Sequence, residues 1–136
     1  MPNTRTEVMD RSFMQDFALL FFAVALTLTS IQAWAHHGWD WAVEEQSQLK
    51  GTVQSISMAP PHPTLKVKAE DGTLWQIDLG NPGQTERSGF TGESAKAGDA
   101  ITVLGNRAKD GKTHMKAVRI TIGAKNYDMY PERIKE

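Results

Sequence analysis

The sequence predicts an all-β domain, a small five-stranded barrel of the OB type with one short helix between its third and fourth strands, behind an N-terminal signal peptide. Three observations carry this reading. Hydrophobic residues recur with a period of two from Leu49 onward, the spacing of a strand with one buried face. Glycines, prolines and Asp-Gly pairs punctuate these runs, as turns between strands require. The resulting order between residues 48 and 123 is three strands, a short helix and two strands, which is that of an OB-type barrel. A six-stranded roll or an open sandwich fits the same order.

Residues 1–35 read as the export signal. Arg5 and Arg11 sit in a polar start, Phe17 to Ser30 is an apolar run, and Ala33-Trp34-Ala35 supplies small residues for cleavage. The run is shorter than the roughly 20 residues a membrane-spanning helix needs, so removal is expected rather than a permanent anchor. The protein is then periplasmic or secreted. Cleavage after Ala35 leaves an arm over 36–47, a barrel domain over 48–123 and a C-terminal tail over 124–136.

In the first strand, about 48–58, Leu49, Gly51, Val53 and Ser55 share one face and Lys50, Thr52, Gln54 and Ile56 the other. Pro60-Pro61-His62-Pro63 stops the ladder, because proline has no amide hydrogen to give it. Leu65, Val67 and Ala69 alternate with lysines and glutamate in the second strand. Asp71-Gly72 turns it into the third, Thr73 to Leu79. Pro82-Gly83 opens a connector with a short helix over Gln84–Phe90. After the Gly98-Asp99 turn come a fourth strand at Ala100–Gly105, a turn at Asp110-Gly111 and a long fifth strand from Met115 to Ile122. The tail is expected to fray past Arg133.

Charge and composition exclude several functions. The leader carries Arg5 and Arg11 against Glu7, Asp10 and Asp16, so 13 basic and 13 acidic residues remain after it. A neutral mature chain has no electrostatic footprint for nucleic acid or for an anionic membrane. The absence of cysteine removes disulfides and thiolate metal sites. Ser88 and Ser94 have no histidine near them in sequence. Asp78, Glu86, Glu93 and Asp99 are accounted for by turns and strand exposure. No hydrolase is expected, and no catalytic residue is assigned.

The nitrogen-bearing residues are more informative. Cleavage would give His36 a free α-amine, and that amine with its Nδ1 closes a chelate ring on one metal ion. A third nitrogen from His37, His62 or His114 completes a T-shaped donor set suited to Cu(II), the strongest binder of the divalent series. Met58, Met115 and Met129 are thioether candidates for Cu(I), or ordinary core filling.

The sequence also resembles a family of small exported bacterial proteins grouped as a domain of unknown function, whose mature chains open with His-His-Gly-Trp. The shared positions are His36-His37-Gly38-Trp39, Pro61-His62, Gly98-Asp99, Met115-Lys116-Ala117, Tyr127-Asp128 and Tyr130-Pro131. This chain has Pro60 where members often have asparagine. The resemblance implies an exported β domain over nearly the whole mature chain and no activity. The free N-terminal histidine is similar to the copper end of periplasmic copper-resistance chaperones and of copper-dependent polysaccharide oxygenases, at that one position only.

Two functions are therefore expected. The first is copper handling, with His36, His37, His62 and His114 as the metal-ligating candidates. The second is a metal-free module that binds a protein, peptide or saccharide partner through Trp39, Trp41, Trp75 and Phe90.

Overall fold

A computed structural model describes residues 38–135. The expected signal peptide lies outside the described residues, as do His36 and His37. The fold is mainly β: β1 (Ala42–Ser57), β2 (Thr64–Ala69), β3 (Leu74–Asp78), a short helix α1 (Pro82–Arg87), β4 (Ala100–Ala108), β5 (His114–Ile122), β6 (Lys125–Asp128) and a 3-10 turn at Pro131–Arg133. The six strands form one sheet in the order β3-β2-β1-β4-β5-β6, antiparallel throughout, with one further, parallel pairing of β3 with β5. The pairings thus run through β1, β2, β3, β5 and β4 and return to β1. Among the described residues no helix is long and apolar enough to cross a membrane.

β1 holds the arrangement together because it pairs with two partners at once. Its residues from Ala42 to Thr52 bond β4, and those from Gly51 to Ser57 bond β2. At Gly51, where both pairings overlap, a Cβ would run into the carbonyl of Lys68; only glycine lets the strands approach so closely. The Asp71-Gly72 hairpin forms as expected: Gly72 has φ +87° and Asp71 Oδ1 accepts the Thr73 amide at 2.9 Å. The core is the inner face of these strands, with Val53, Leu65, Val67, Ile77, Val103, Met115, Ala117 and Ile120 fully buried.

Four boundaries differ from expectation. β1 begins at Ala42 rather than about residue 48, so half of the expected arm is strand. The glutamates and glutamine there mask the period of two because this end faces solvent on one side. α1 occupies Pro82–Arg87 rather than Gln84–Phe90. Asn81 Oδ1 caps the Gln84 amide at 2.9 Å with Pro82 in the first turn, and Gly89 at φ +81° follows its end. β4 runs on to Ala108. The tail contains a sixth strand and folds back: Gln46 Nε2 donates to the Arg133 carbonyl at 2.6 Å, and Lys135 Nζ to that of Glu44 at 3.2 Å. It does not fray at Arg133.

Candidate functional site

The parallel seam of β3 and β5 concentrates the polar side chains that sequence position leaves scattered. Side chains alternate along a strand, and Ile77 and Met115 point into the core. Their neighbours Gln76, Asp78, His114 and Lys116 therefore share the outer face. Register places Gln76 opposite His114 and Asp78 opposite Lys116. An outer face is ordinarily solvated, but this one is roofed. His62 comes down from the proline loop, Trp41 from the chain entering β1, and Trp39 and Tyr130 from the two ends of the described chain.

Asp78 is the hub. Its Oδ2 lies 2.9 Å from His114 Nε2 and 3.2 Å from His62 Nε2, and its Oδ1 accepts a hydrogen bond from Gln76 Nε2 at 3.1 Å. Burial works to raise its pKa. The close approach of His114, the Gln76 amide and the charge of both imidazoles outweigh burial and hold the carboxyl below the ordinary aspartate value. The contact with His114 is short but misdirected, since the buried Nε2 has no partner in hydrogen-bond geometry. The imidazole is fixed instead through its face, stacked on the Trp41 indole with centroids 4.0 Å apart and planes 9° apart.

Beside this cluster lies a buried cation. Lys116 is only 7 % exposed, and its Nζ stands 5.7 Å from the ring centres of both Trp39 and Tyr130. Burial lowers its pKa, and the charge of Asp78 opposes that in part. Trp39 meets Tyr130 edge to face at 4.8 Å and carries the Arg133 guanidinium 4.2 Å from its ring centre. Burial pushes the Tyr130 hydroxyl above its ordinary pKa. A cleft of about 510 Å³, lined by Lys66, Leu74, Gln76, Gly111, Lys112, Thr113 and His114, opens next to the cluster.

Of the four histidines singled out as metal ligands, the structure brings His62 and His114 together on one carboxylate, while His36 and His37 lie outside the described residues. Among the described residues no group of three or more His, Asp or Glu side chains is arranged to hold a metal ion by itself. Met115 and Met129 are core residues and Met58 is 43 % exposed. Phe90, expected as a partner contact, is 1 % exposed and packs edge to face on Tyr127 at 5.2 Å, so it offers no surface. Trp39 packs against the core and Trp41 against His114. Trp75 is half-buried, with the Arg107 guanidinium 4.9 Å from its ring centre.

Asp78 is the residue that sequence reasoning set aside as strand exposure. Its signal was positional: it continues the outward-facing alternation of Leu74 and Gln76, yet the proline loop that precedes β2 returns over that end of β3. Lys116 escaped for the same reason, being covered by chain ends assigned to an arm and a tail. Asp99 is a turn residue as read, accepting the Lys96 amide at 2.9 Å.

Fold and site thus define a small mainly β domain whose polar cluster is built on the outside of a strand seam. The chain belongs to a family of unknown function, DUF6152, which it matches over residues 24–117. That span includes every histidine of the chain, Asp78 and Lys116, and stops short of Tyr127-Asp128 and Tyr130-Pro131. No curated protein matches the chain.

Proposed function

We propose that this protein is an exported envelope protein whose strands close into an OB-like barrel, and that it holds a transition-metal ion, copper by preference, for metal handling rather than turnover. The observation that carries this is the convergence of His62 Nε2 and His114 Nε2 on Asp78 Oδ2, at 3.2 and 2.9 Å. Neighbouring ligands bound about 2.0–2.1 Å from one first-row ion stand roughly 2.9–3.4 Å apart. His114 Nε2 is buried and makes no hydrogen bond among the described residues, so its lone pair is not committed to another protein group.

The described cluster offers two imidazoles and one carboxylate, and the proposed processing of the chain adds nitrogen donors of its own. Cleavage after Ala35 would supply two, the amine and Nδ1 of His36, with His37 next to them. The set is then rich in nitrogen, which favours copper among divalent ions. All these donors bind as neutral bases except the carboxylate, so affinity falls as pH drops through the imidazole range near 6.5.

The test is Cu(II) titration of the mature chain beginning at His36, against a variant carrying one extra leading alanine and against the His62→Ala/His114→Ala pair. One equivalent should bind to the mature chain, and more weakly to both variants. Equal affinity in all three overturns the reading. Intact mass of the protein recovered from the envelope checks the cleavage site. For the alternative, a metal-free partner-binding surface, Phe90 is buried, Trp41 is stacked on His114, and Trp39 and Trp75 are half-buried against the core.

A further inference from the structure

Leu74 is a large apolar side chain left on the outside of the sheet. It is 52 % exposed, stands opposite Lys68 in register and lies two residues from Gln76, the partner of Lys66. Its surroundings are concave: with Lys66, Gln76, Lys112, Thr113 and His114 it lines the cleft of about 510 Å³ beside the polar cluster. That volume is in the range of small-ligand pockets, roughly 300–1,000 Å³.

The walls of this cleft are fastened. Register sets Lys66, Gln76 and His114 in one row across β2, β3 and β5. Gln76 is oriented from both ends, its Oε1 accepting from Lys66 Nζ at 3.0 Å and its Nε2 donating to Asp78 Oδ1 at 3.1 Å. The turn that supplies the other wall is tied to β3, since the Gln76 amide donates to the Thr113 carbonyl at 2.9 Å. Within that turn Asp110 Oδ1 accepts the Lys112 amide at 3.1 Å, and Oδ2 pairs with Lys112 Nζ at 2.8 Å. A small molecule entering here meets groups that need little ordering, which favours binding.

Charge and polarity decide what fits. The lining holds two ammonium groups and no carboxylate. Asp110 offsets Lys112, whereas Lys66 gives one of its three N–H donors to a neutral amide and keeps its charge unbalanced in the cleft. Thr113 adds a hydroxyl. A bare inorganic anion would leave Leu74 uncovered, and a neutral hydrocarbon would leave the donors of Lys66 unused. An acid with one charge and an apolar body uses both.

We infer that this cleft binds a small monocarboxylic acid, its carboxylate on Lys66 Nζ and the Thr113 hydroxyl and its apolar body on Leu74. Straight-chain and aromatic acids share this chemistry. The inference is independent of the metal reading, because no ion takes part in the binding.

The experiment follows the backbone amide resonances of the isotope-labelled protein, with excess EDTA present throughout. Sodium hexanoate and, in a second arm, sodium benzoate are titrated at constant ionic strength. Sodium acetate and hexanol are the controls, one lacking the apolar body and the other the charge. Hexanoate should shift the amides of Leu74, Gln76, Gly111 and Thr113 saturably, with acetate and hexanol each weaker by about tenfold or more. Lys66→Gln should weaken hexanoate by about three- to fivefold, the worth of one solvent-facing charge pair. Leu74→Ser should weaken it comparably through lost apolar contact. Both side chains are exposed, so resonances away from the cleft should stay where they are. With hexanoate bound, benzoate shifting the same amides extends the site to aromatic acids, and no benzoate response restricts it to straight chains. Hexanoate shifts that fail to saturate, or that centre outside the cleft, overturn the inference. Acetate or hexanol binding as tightly as hexanoate overturns it too, as does unchanged hexanoate affinity in both variants. Because the chelator removes any ion, these outcomes leave the copper reading untouched, and a protein that takes up no copper leaves this inference standing.

Discussion

The imidazole of His114 is held between two unlike surfaces, the indole of Trp41 stacked 4.0 Å from it and the carboxylate of Asp78 2.9 Å from its Nε2. The face is held by the chain entering β1, while the ring nitrogen lies close to the end of β3 without hydrogen-bond geometry among the described residues. Stacking on the indole restricts the ring's orientation and keeps its Nε2 beside the Asp78 carboxylate.

Removing the hub should separate fold from site. Asp78→Ala takes away the carboxylate that both imidazoles approach and leaves the half-buried Gln76 Nε2 without its acceptor. A loss of about 1–3 kcal/mol is expected for the orphaned groups, read by urea denaturation. Asp78→Asn keeps the shape and the Gln76 contact, so it should fold nearly as well yet hold Cu(II) more weakly. Unchanged copper affinity in Asp78→Asn would remove the carboxylate from the site.

Acid should unfold the protein partly through two carboxylates. Asp78 and Asp128 both have folded pKa values below their ordinary ones. For Asp128 the Arg119 guanidinium is the first cause, with Nη2 3.0 Å from Oδ2. A depressed folded pKa means the unfolded state binds the proton more readily. The stabilisation is therefore complete above the unfolded value near 3.9 and is lost as pH falls through the folded one. Melting temperature measured between pH 7 and 2 should drop in that acid window, and the drop should be shallower in Asp128→Asn. Because Asp128 and Arg119 are each about one-third exposed, the Asp128 share should be small.

What the sequence made legible follows from where physics acts locally. The Asp71-Gly72 hairpin, the proline stop after β1 and the helix between β3 and β4 are short-range features, and each stands where local rules put it, to within a few residues. The pairing of β3 with β5 joins residues about 38 positions apart, and no periodicity encodes it. The outward alternation of Gln76 and Asp78 reads as solvated until that seam and its roof are known. β6 was hidden by its four-residue length and polar start, Lys125-Asn126. His62 and His114 were visible as residue types, but their meeting point on Asp78 was not.

Phe90 gives a direct check on the aromatic residues. It is among the largest fully buried side chains, and Phe90→Ala should cost about 3–5 kcal/mol through lost burial and the cavity left behind. For a domain of this size that lowers the melting temperature by well over ten degrees. A variant that melts like wild type would return Phe90 to the surface.

Gly105 tests the closeness of β4 and β5 at their register shift. A Cβ there would strike the carbonyl of Lys116 and crowd the Met115 side chain. Backbone cannot yield as a side-chain tip can, so Gly105→Ala should destabilise by about 1–3 kcal/mol. The same substitution should disturb the site, because the strand that moves carries His114 and Lys116. Gly38→Ala, with nothing within contact distance, serves as the control and should leave melting unchanged.

Lys116 should reveal the cost of keeping a charge on the seam. Its folded pKa is lowered by burial, so the unfolded chain, with lysine near 10.4, holds the proton more tightly than the folded one. Stability should consequently rise as pH climbs from the folded value toward 10.4, a slope of the same sign as that of the two carboxylates but in the alkaline range rather than the acid one. Lys116→Met replaces the ammonium with an apolar chain of similar length under Trp39 and Tyr130. That variant should lose the alkaline rise and gain about 1 kcal/mol at neutral pH, several degrees in melting temperature. If Lys116→Met instead melts lower than wild type at every pH, the ammonium's contacts with the two rings and Asp78 outweigh its burial, and the lysine is a structural member of the roof.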